Sequence, residues 1–290
     1  MNNPSGILDM TGRTAVVTGA NTGMGKETAR ALAGMGCEVV LACRSAARGE
    51  SARDEIVASA GSPSVHTMPL DLSSMASVRA FANTFCTRFE NLDILVNSAA
   101  ASLRTREITE DGFERHWGTN VVGPHLLTRL LLPALQRSGR GRIVNVSTRA
   151  AGGLDLTDTQ YEHRRYSGVG AYRASKQAVR MLTWALAVRL EDAPITANAV
   201  SPGYVLTDLT TNVEGPLRML VRVTRFWAKT PLQGADTTIW LASSPDVDGI
   251  TGAFWSSRRR RRCRFRDPEA FERLWHLVDH QAHMEQVRLS

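Results

Sequence analysis

Short apolar runs rich in β-branched residues recur along most of the chain. They are "RTAVVTG" (13–19), "CEVVLACR" (37–44), "SVHTMPLDL" (64–72), "LDILVNSAA" (92–100), "GRIVNVS" (141–147), "ITANAVSPG" (195–203) and "GITGAFW" (249–255). Between most of them, apolar residues return at helical spacing; "MGKETARALAGMG", after the first run, closes on a glycine stop. Continuous apolar strands alternating with helices predict an α/β fold, a parallel sheet with helices on both faces. No repeat or low-complexity linker divides the sequence, so one domain over 1–290 is expected. Near the end, "PEAFERLWHLVDHQ" (268–281) places Phe271, Leu274, Trp275 and Val278 on one side of a helix. This tail, 268–285, is expected to cover the fold or join a neighbouring subunit.

Composition narrows the class. Hydrophobic residues make up 43% and charged residues 22%, ordinary values for a globular protein. The start, "MNNPSGILDM", has neither a basic nor an apolar run, and no segment approaches the roughly 18 apolar residues of a membrane span. A soluble, cytoplasmic protein is expected. Cys37, Cys43, Cys86 and Cys263 show no C-x-x-C spacing and read as reduced thiols without a metal site.

The formal charge of +7 is local. Residues 258–266, "RRRRRCRFR", hold seven arginines and no acid; without them the charge is zero. The run reads as a solvated loop after the last strand, and no nucleic-acid partner is expected. Binding of nucleic acid or an anionic membrane through Arg258 to Arg262 is the alternative, and steep salt dependence of DNA binding is the signature of the former.

Chemistry first shows at "VVTGANTGMGKETA", where Gly19, Gly23 and Gly25 separate the first strand from the first helix. Glycine permits a sharp turn and close approach to a diphosphate, and the helix N-terminus offers N–H groups and a positive dipole end. The same glycines would also serve a tight strand–helix turn without ligand.

A second signal is "GAYRASKQAV" (170–179), which holds one of only three lysines in the chain. Tyr172 and Lys176 project from one face of a helix. An ammonium beside a phenol favours the phenolate, which predicts a lowered tyrosine pKa and a usable proton donor and acceptor. Ser147 ends the strand "RIVNVS", at the sheet edge where open α/β folds bind ligands. Its hydroxyl can hold a carbonyl oxygen against the tyrosine.

"TGANTGMG", Asp71 in "PLDL", Asn97 in "LVNSAA", Asn120 in "HWGTNVVGP", Ser147, "YRASK" and "SPGYVLTDL" stand in the order of the short-chain dehydrogenase/reductase family. The resemblance runs from about Thr14 to Trp255. It implies a Rossmann-type, doubly wound sheet of about seven strands, a nicotinamide cofactor and a tetrad of Asn120, Ser147, Tyr172 and Lys176. Asn120 would help carry a water-linked proton relay towards Lys176, and Lys176 would also hold the nicotinamide ribose. The cofactor would lie on Gly19, Asn21, Thr22, Gly23, Met24 and Gly25, on Asp71 and Leu72 near the adenine, and on Asn97 and Ala99. Tyr172, Lys176, Pro202, Gly203, Val205 and Thr207 would line its nicotinamide end.

"LACRSAARGE", "DGFERHWGTNVVGPHLLTRLLLPAL" and the 25-residue step from Ser147 to Tyr172 resemble the retinol-dehydrogenase-like branch. That branch implies bulky hydrophobic aldehydes, ketones or alcohols as substrates. Many of its members carry an N-terminal membrane anchor; the lack of one here favours a soluble carbonyl reductase, as a homodimer or homotetramer. A non-catalytic dinucleotide sensor on the same fold is the other reading, and it would not need Tyr172.

Two further expectations follow. "NSAA" (97–100) stands where the family has N-N-A-G, so Ser98 and Ala100 predict somewhat weaker cofactor binding. The second strand ends on Cys43, where an NAD-preferring site has an acid, and Arg44 follows. NADPH/NADP is therefore expected over NADH/NAD, through charge-assisted bonds from Arg44 to a 2′-phosphate. For substrate, Tyr161 and His163 in the loop 148–170 and the apolar residues Leu217, Leu220, Val221, Phe226 and Trp227 are candidates, each also readable as ordinary loop or core.

Overall fold

The computed structural model describes residues 8–203 and 229–284. The expectations for Val205, Thr207 and the apolar residues at 217–227 lie outside these. One sheet of eight strands runs in the order β3-β2-β1-β4-β5-β6-β7-β8. The strands are β1 (Thr14–Thr18), β2 (Glu38–Cys43), β3 (Val65–Pro69), β4 (Ile94–Asn97), β5 (Gly141–Val146), β6 (Ile195–Val200), β7 (Phe254–Ser256) and β8 (Arg259–Arg261). The first seven are parallel, with Val16 opposite both Val40 and Leu95, and Val146 opposite Val200.

Each apolar run became a strand because both its faces are covered. On one side Ala29 and Leu32 of α1 (Gly23–Gly34), Ile56 of α2 (Ala46–Ala60) and Leu241 of α7 (Pro231–Ser243) pack against β1, β2 and β4. On the other side lie α3 (Met75–Arg88), α5 (Gly123–Arg137), α6 (Gly168–Arg189) and α8 (Pro268–Gln281). The short helix α4 (Arg115–Trp117) enters α5 through a single wide turn, Gly118–Val122. Helix α8 lies on this same chain: Phe271, Leu274, Trp275 and Val278 are all buried in the second layer.

The arginine run departs from the expected solvated loop. Arg259, Arg260 and Arg261 form an antiparallel edge strand opposite Ser256, Trp255 and Phe254. Ser257 and Arg258 make its two-residue turn, with φ of 53° and 54°. That left-handed pair suits the twist of a tight hairpin. Pairing needs only backbone groups, so a run with no apolar pattern can still add a strand. The exposed arginine side chains blunt the new edge against further pairing.

The sheet order reverses between β1 and β4, because β1 leads outwards to β2 while β4 leads the other way. This opens a crevice beyond the carboxyl ends of β1, β4 and β5, where open α/β sheets bind ligands. The candidate residues converge there.

Candidate active site

On one wall of the crevice, Gly19 follows β1 with φ of 66°, and a Cβ there would come within 2.9 Å of Ala99 Cα. A Cβ on Gly25 would meet the Gly19 carbonyl oxygen at 2.6 Å. These two glycines let β1, α1 and the segment after β4 lie against one another. Thr18 Oγ1 accepts from the Ser98 and Ala99 N–H groups, both at 3.0 Å, and fixes that segment. Helix α1 starts at Gly23, directly behind this turn, with no acid in its first turn. A tight glycine turn leading into this helix start suits a diphosphate, so the residues fit a dinucleotide.

Cys43 is buried at the end of β2, and burial pushes its thiol up to about 11. Arg44 next to it is exposed, as is Arg48 on the first turn of α2. Asp71 Oδ1 accepts from the Ser73 N–H and hydroxyl at 2.9 and 2.6 Å, shaping the turn after β3. Leu72 is buried, and its carbonyl approaches Gly123 so closely that a Cβ would lie 2.1 Å away.

On the other wall, α6 carries Tyr172 and Lys176 one turn apart. Ser147 Oγ donates to the Lys176 carbonyl at 2.8 Å, and Lys176 Nζ donates to the Val146 carbonyl at 2.9 Å. Lys176 Nζ lies 5.8 Å from the centre of the Tyr172 ring. The expected lowering of the tyrosine pKa is not present in this arrangement: burial pushes the Tyr172 phenol up. Burial also lowers Lys176 to about 8, so the amine still carries its proton at neutral pH but gives it up far more readily than an exposed lysine. Desolvation outweighs the neighbour effect for both groups.

Asn120 sits in the wide turn, and its side chain is committed. Its Oδ1 accepts from Ala101 N at 2.7 Å; its Nδ2 donates to Ala101 O at 3.1 Å and Ser175 Oγ at 3.0 Å. Any part in a relay falls to its backbone, where a wide turn disturbs the regular helical hydrogen bonds. Asn97 Nδ2 donates to Thr128 Oγ1 at 3.1 Å and to Asn145 Oδ1 at 2.8 Å. Among the described residues its own Oδ1 is buried without a hydrogen-bond partner, beside a cavity lined by Asn97, Asn120, Thr128, Asn145 and Lys176. Pro202 is buried and Gly203 exposed at the end of β6, with φ of 90° at the glycine.

Sequence reading missed Asn145 and Ser175, which tie Asn97 and Asn120 to α6. A polar residue inside an apolar run was the available sign for Asn145. It also missed Glu114 and His116, buried polar residues whose helix is only one turn long.

The crevice, glycine turn and Ser–Tyr–Lys grouping define an NAD(P)-dependent oxidoreductase acting between alcohols and carbonyls. The chain belongs to the short-chain dehydrogenase family, whose pattern it matches over residues 13–217. It is 40% identical over 274 residues to mouse retinol dehydrogenase 12, covering 93% of this chain and 86% of the relative. It is 41% identical over 276 residues to mouse polyprenol dehydrogenase, covering 91% and 82%. The crystal structure of an uncharacterized protein from Mycobacterium paratuberculosis superposes with a TM-score of 0.78 at 32% identity, over 96% of both chains. No helix among the described residues is long and apolar enough to cross a membrane, and none of these residues form a group of three or more metal-ligating side chains.

Proposed function

We propose that the chain is an NADPH-linked reductase of bulky, hydrophobic ketones or aldehydes, running as a dehydrogenase of the matching alcohols in reverse. The observation that carries this reading is the meeting of Ser147 and Lys176, from β5 and α6, beside Tyr172. The relatives are named for retinol and polyprenol, both long apolar alcohols, which supports the substrate class.

A bound nicotinamide supplies or accepts the hydride. Tyr172 donates its hydroxyl proton to the carbonyl oxygen as negative charge develops there, and takes it back from the alcohol in reverse. Ser147 supplies a second donor to the same oxygen by turning its single hydroxyl proton away from the Lys176 carbonyl, to which it otherwise donates. Lys176 and Tyr172 hold the nicotinamide ribose side, with Pro202 and Gly203 as the facing wall. Gly19, Asn21, Thr22, Gly23, Met24 and Gly25 cradle the diphosphate; Asp71 and Leu72 flank the adenine; Asn97 and Ala99 form the floor. Arg44 recognises the 2′-phosphate, and the exposed Arg48 offers a second cation to the same group.

The test is a panel of apolar ketones, aldehydes and alcohols followed by cofactor absorbance, in wild type and Tyr172→Phe. Turnover of none of them, or equal turnover by both proteins, rejects the reading.

A further inference from the structure

Among the described residues, no side chain hydrogen-bonds the Tyr172 hydroxyl, so the setting of its ring depends on what the ring touches. One neighbour is Lys176; another is the imidazole of His116, at 6.4 Å between ring centres and 72° between planes. His116 is wholly buried. The Leu103 N–H donates to His116 Nε2 at 2.9 Å. A backbone N–H can only donate, so Nε2 carries the lone pair and the ring proton is on Nδ1. That proton is given to Glu114 Oε1, 2.7 Å away. The two partners hold the imidazole in one orientation, with the Nδ1 proton turned to Glu114.

Glu114 is 1% exposed and yet well satisfied. Its Oε2 accepts from Trp117 N at 2.9 Å, and its Oε1 also accepts from the Tyr166 hydroxyl at 3.0 Å. Burial opposes its charge, but the donors from His116 and Trp117 outweigh it and hold the carboxyl below its ordinary range. Tyr166 belongs to the loop that leads from Ser147 to Tyr172. The same loop is gripped again where Gln160 Oε1 accepts from Glu114 N at 2.7 Å. Tyr161 packs edge-on against Tyr166 with ring centres 5.4 Å apart. One buried carboxylate thus joins α4, the segment after β4 and the loop at the mouth of the crevice.

We propose that Glu114, His116 and Tyr166 form a positioning unit: Glu114 fixes the His116 ring against Tyr172, and Tyr166 makes that setting depend on the order of the loop 154–166. This rests on the reading of Tyr172 as the proton donor. A loop seated by substrate then holds the tyrosine at the carbonyl oxygen, and a loosened loop frees it.

The test uses Glu114→Gln, His116→Gln and Tyr166→Phe, with Tyr172→Phe as control, on a substrate that the wild type turns over. Glutamine at 114 keeps the shape but sets an amide against the imidazole N–H. It is expected to lower kcat at least tenfold, leave the cofactor Kd unchanged and raise the solvent deuterium isotope effect on kcat, because proton transfer becomes slower. Tyr166→Phe should raise the substrate KM and lower kcat less. The double variant should be no worse than Glu114→Gln alone, as expected for groups acting through one contact. A purely structural role would lower Tm and leave the isotope effect at its wild-type value; that result in any folded Glu114 or His116 variant overturns the proposal. If Glu114→Gln does not fold, His116→Gln decides, since glutamine can still accept from Leu103 but lacks the ring. An active Tyr172→Phe would instead overturn the acid/base reading on which the unit rests.

Discussion

Lys176 Nζ donates to the Val146 carbonyl oxygen at the end of β5, and the residue after the strand, Ser147, donates back to the Lys176 carbonyl. The two bonds lock β5 and α6 together at the point where the candidate donors must converge. They also hold an amine in a buried place that disfavours its charge, and this has a measurable consequence. Burial lowers Lys176 from 10.5 to about 8. Between those pH values the unfolded chain holds a proton that the folded chain has released. Stability from this group therefore rises with pH through that window, and is lowest below about pH 8. Denaturant melts of wild type and Lys176→Met at pH 7 and 10 should show wild type gaining relative to the variant at the higher pH, by on the order of 3 kcal/mol at most. A difference that stays constant with pH would mean that the amine is not desolvated.

Tyr172→Phe should retain cofactor affinity and lose turnover by roughly 10²–10⁴-fold, the usual contribution of a positioned acid/base. The ring and its contact with His116 survive the change; the proton donor does not. Cofactor titration by protein fluorescence and initial rates on one substrate separate the two effects. Near-normal rates would remove Tyr172 from the chemistry.

Cofactor choice should follow Arg44. Hydrogen bonds to a charged group contribute about 1.5–3 kcal/mol, so removing the arginine should cut the NADPH preference by roughly 10- to 150-fold. The measurement is kcat/KM for both cofactors in wild type, Arg44→Ala and the Cys43→Asp, Arg44→Ala double variant. If Arg48 shares the phosphate, Arg48→Ala will account for part of the shift. A wild type that prefers NADH contradicts the assignment.

The C-terminal helix α8 should prove to be held by charge as well as apolar packing. Asp279 accepts from His125 Nε2 at 2.6 Å and from the Arg129 guanidinium, and Trp275 lies under the same guanidinium. All four residues are buried. Burial opposes the Asp279 charge, but these donors hold its carboxyl below the ordinary range. Its contribution is therefore present above that range and lost as the pH falls through its folded value. Asp279→Ala leaves Arg129 without its counter-charge and should cost about 3–5 kcal/mol near neutral pH. The loss should shrink in acid, as read by urea denaturation at several pH values.

Much of the fold was legible because burial leaves a local trace. A strand covered on both faces is an unbroken apolar run, and helix α8 shows its buried side at helical spacing. The glycine turn was equally plain, since Gly19 and Gly25 stand where no side chain fits. The spacing of Tyr172 and Lys176 fixed their common helix face, and the family motifs placed Ser147 with them. Strand β8 left no such trace, because an edge strand is made by backbone pairing and its arginines point into solvent.

What the sequence determined by itself was the α/β layering, the glycine turn between the first strand and helix, and the placing of Tyr172 and Lys176 on one helix face, since each depends on residues close in the chain. Only the tertiary structure decided how those groups are tuned. The Tyr172 phenol is raised, not lowered, because burial disfavours its charged form. The Asn120 side chain is spent on Ala101 and Ser175, and Glu114 meets Tyr166 across a long loop. Desolvation and long-range hydrogen bonds depend on what the fold packs around a group, and no local spacing records that.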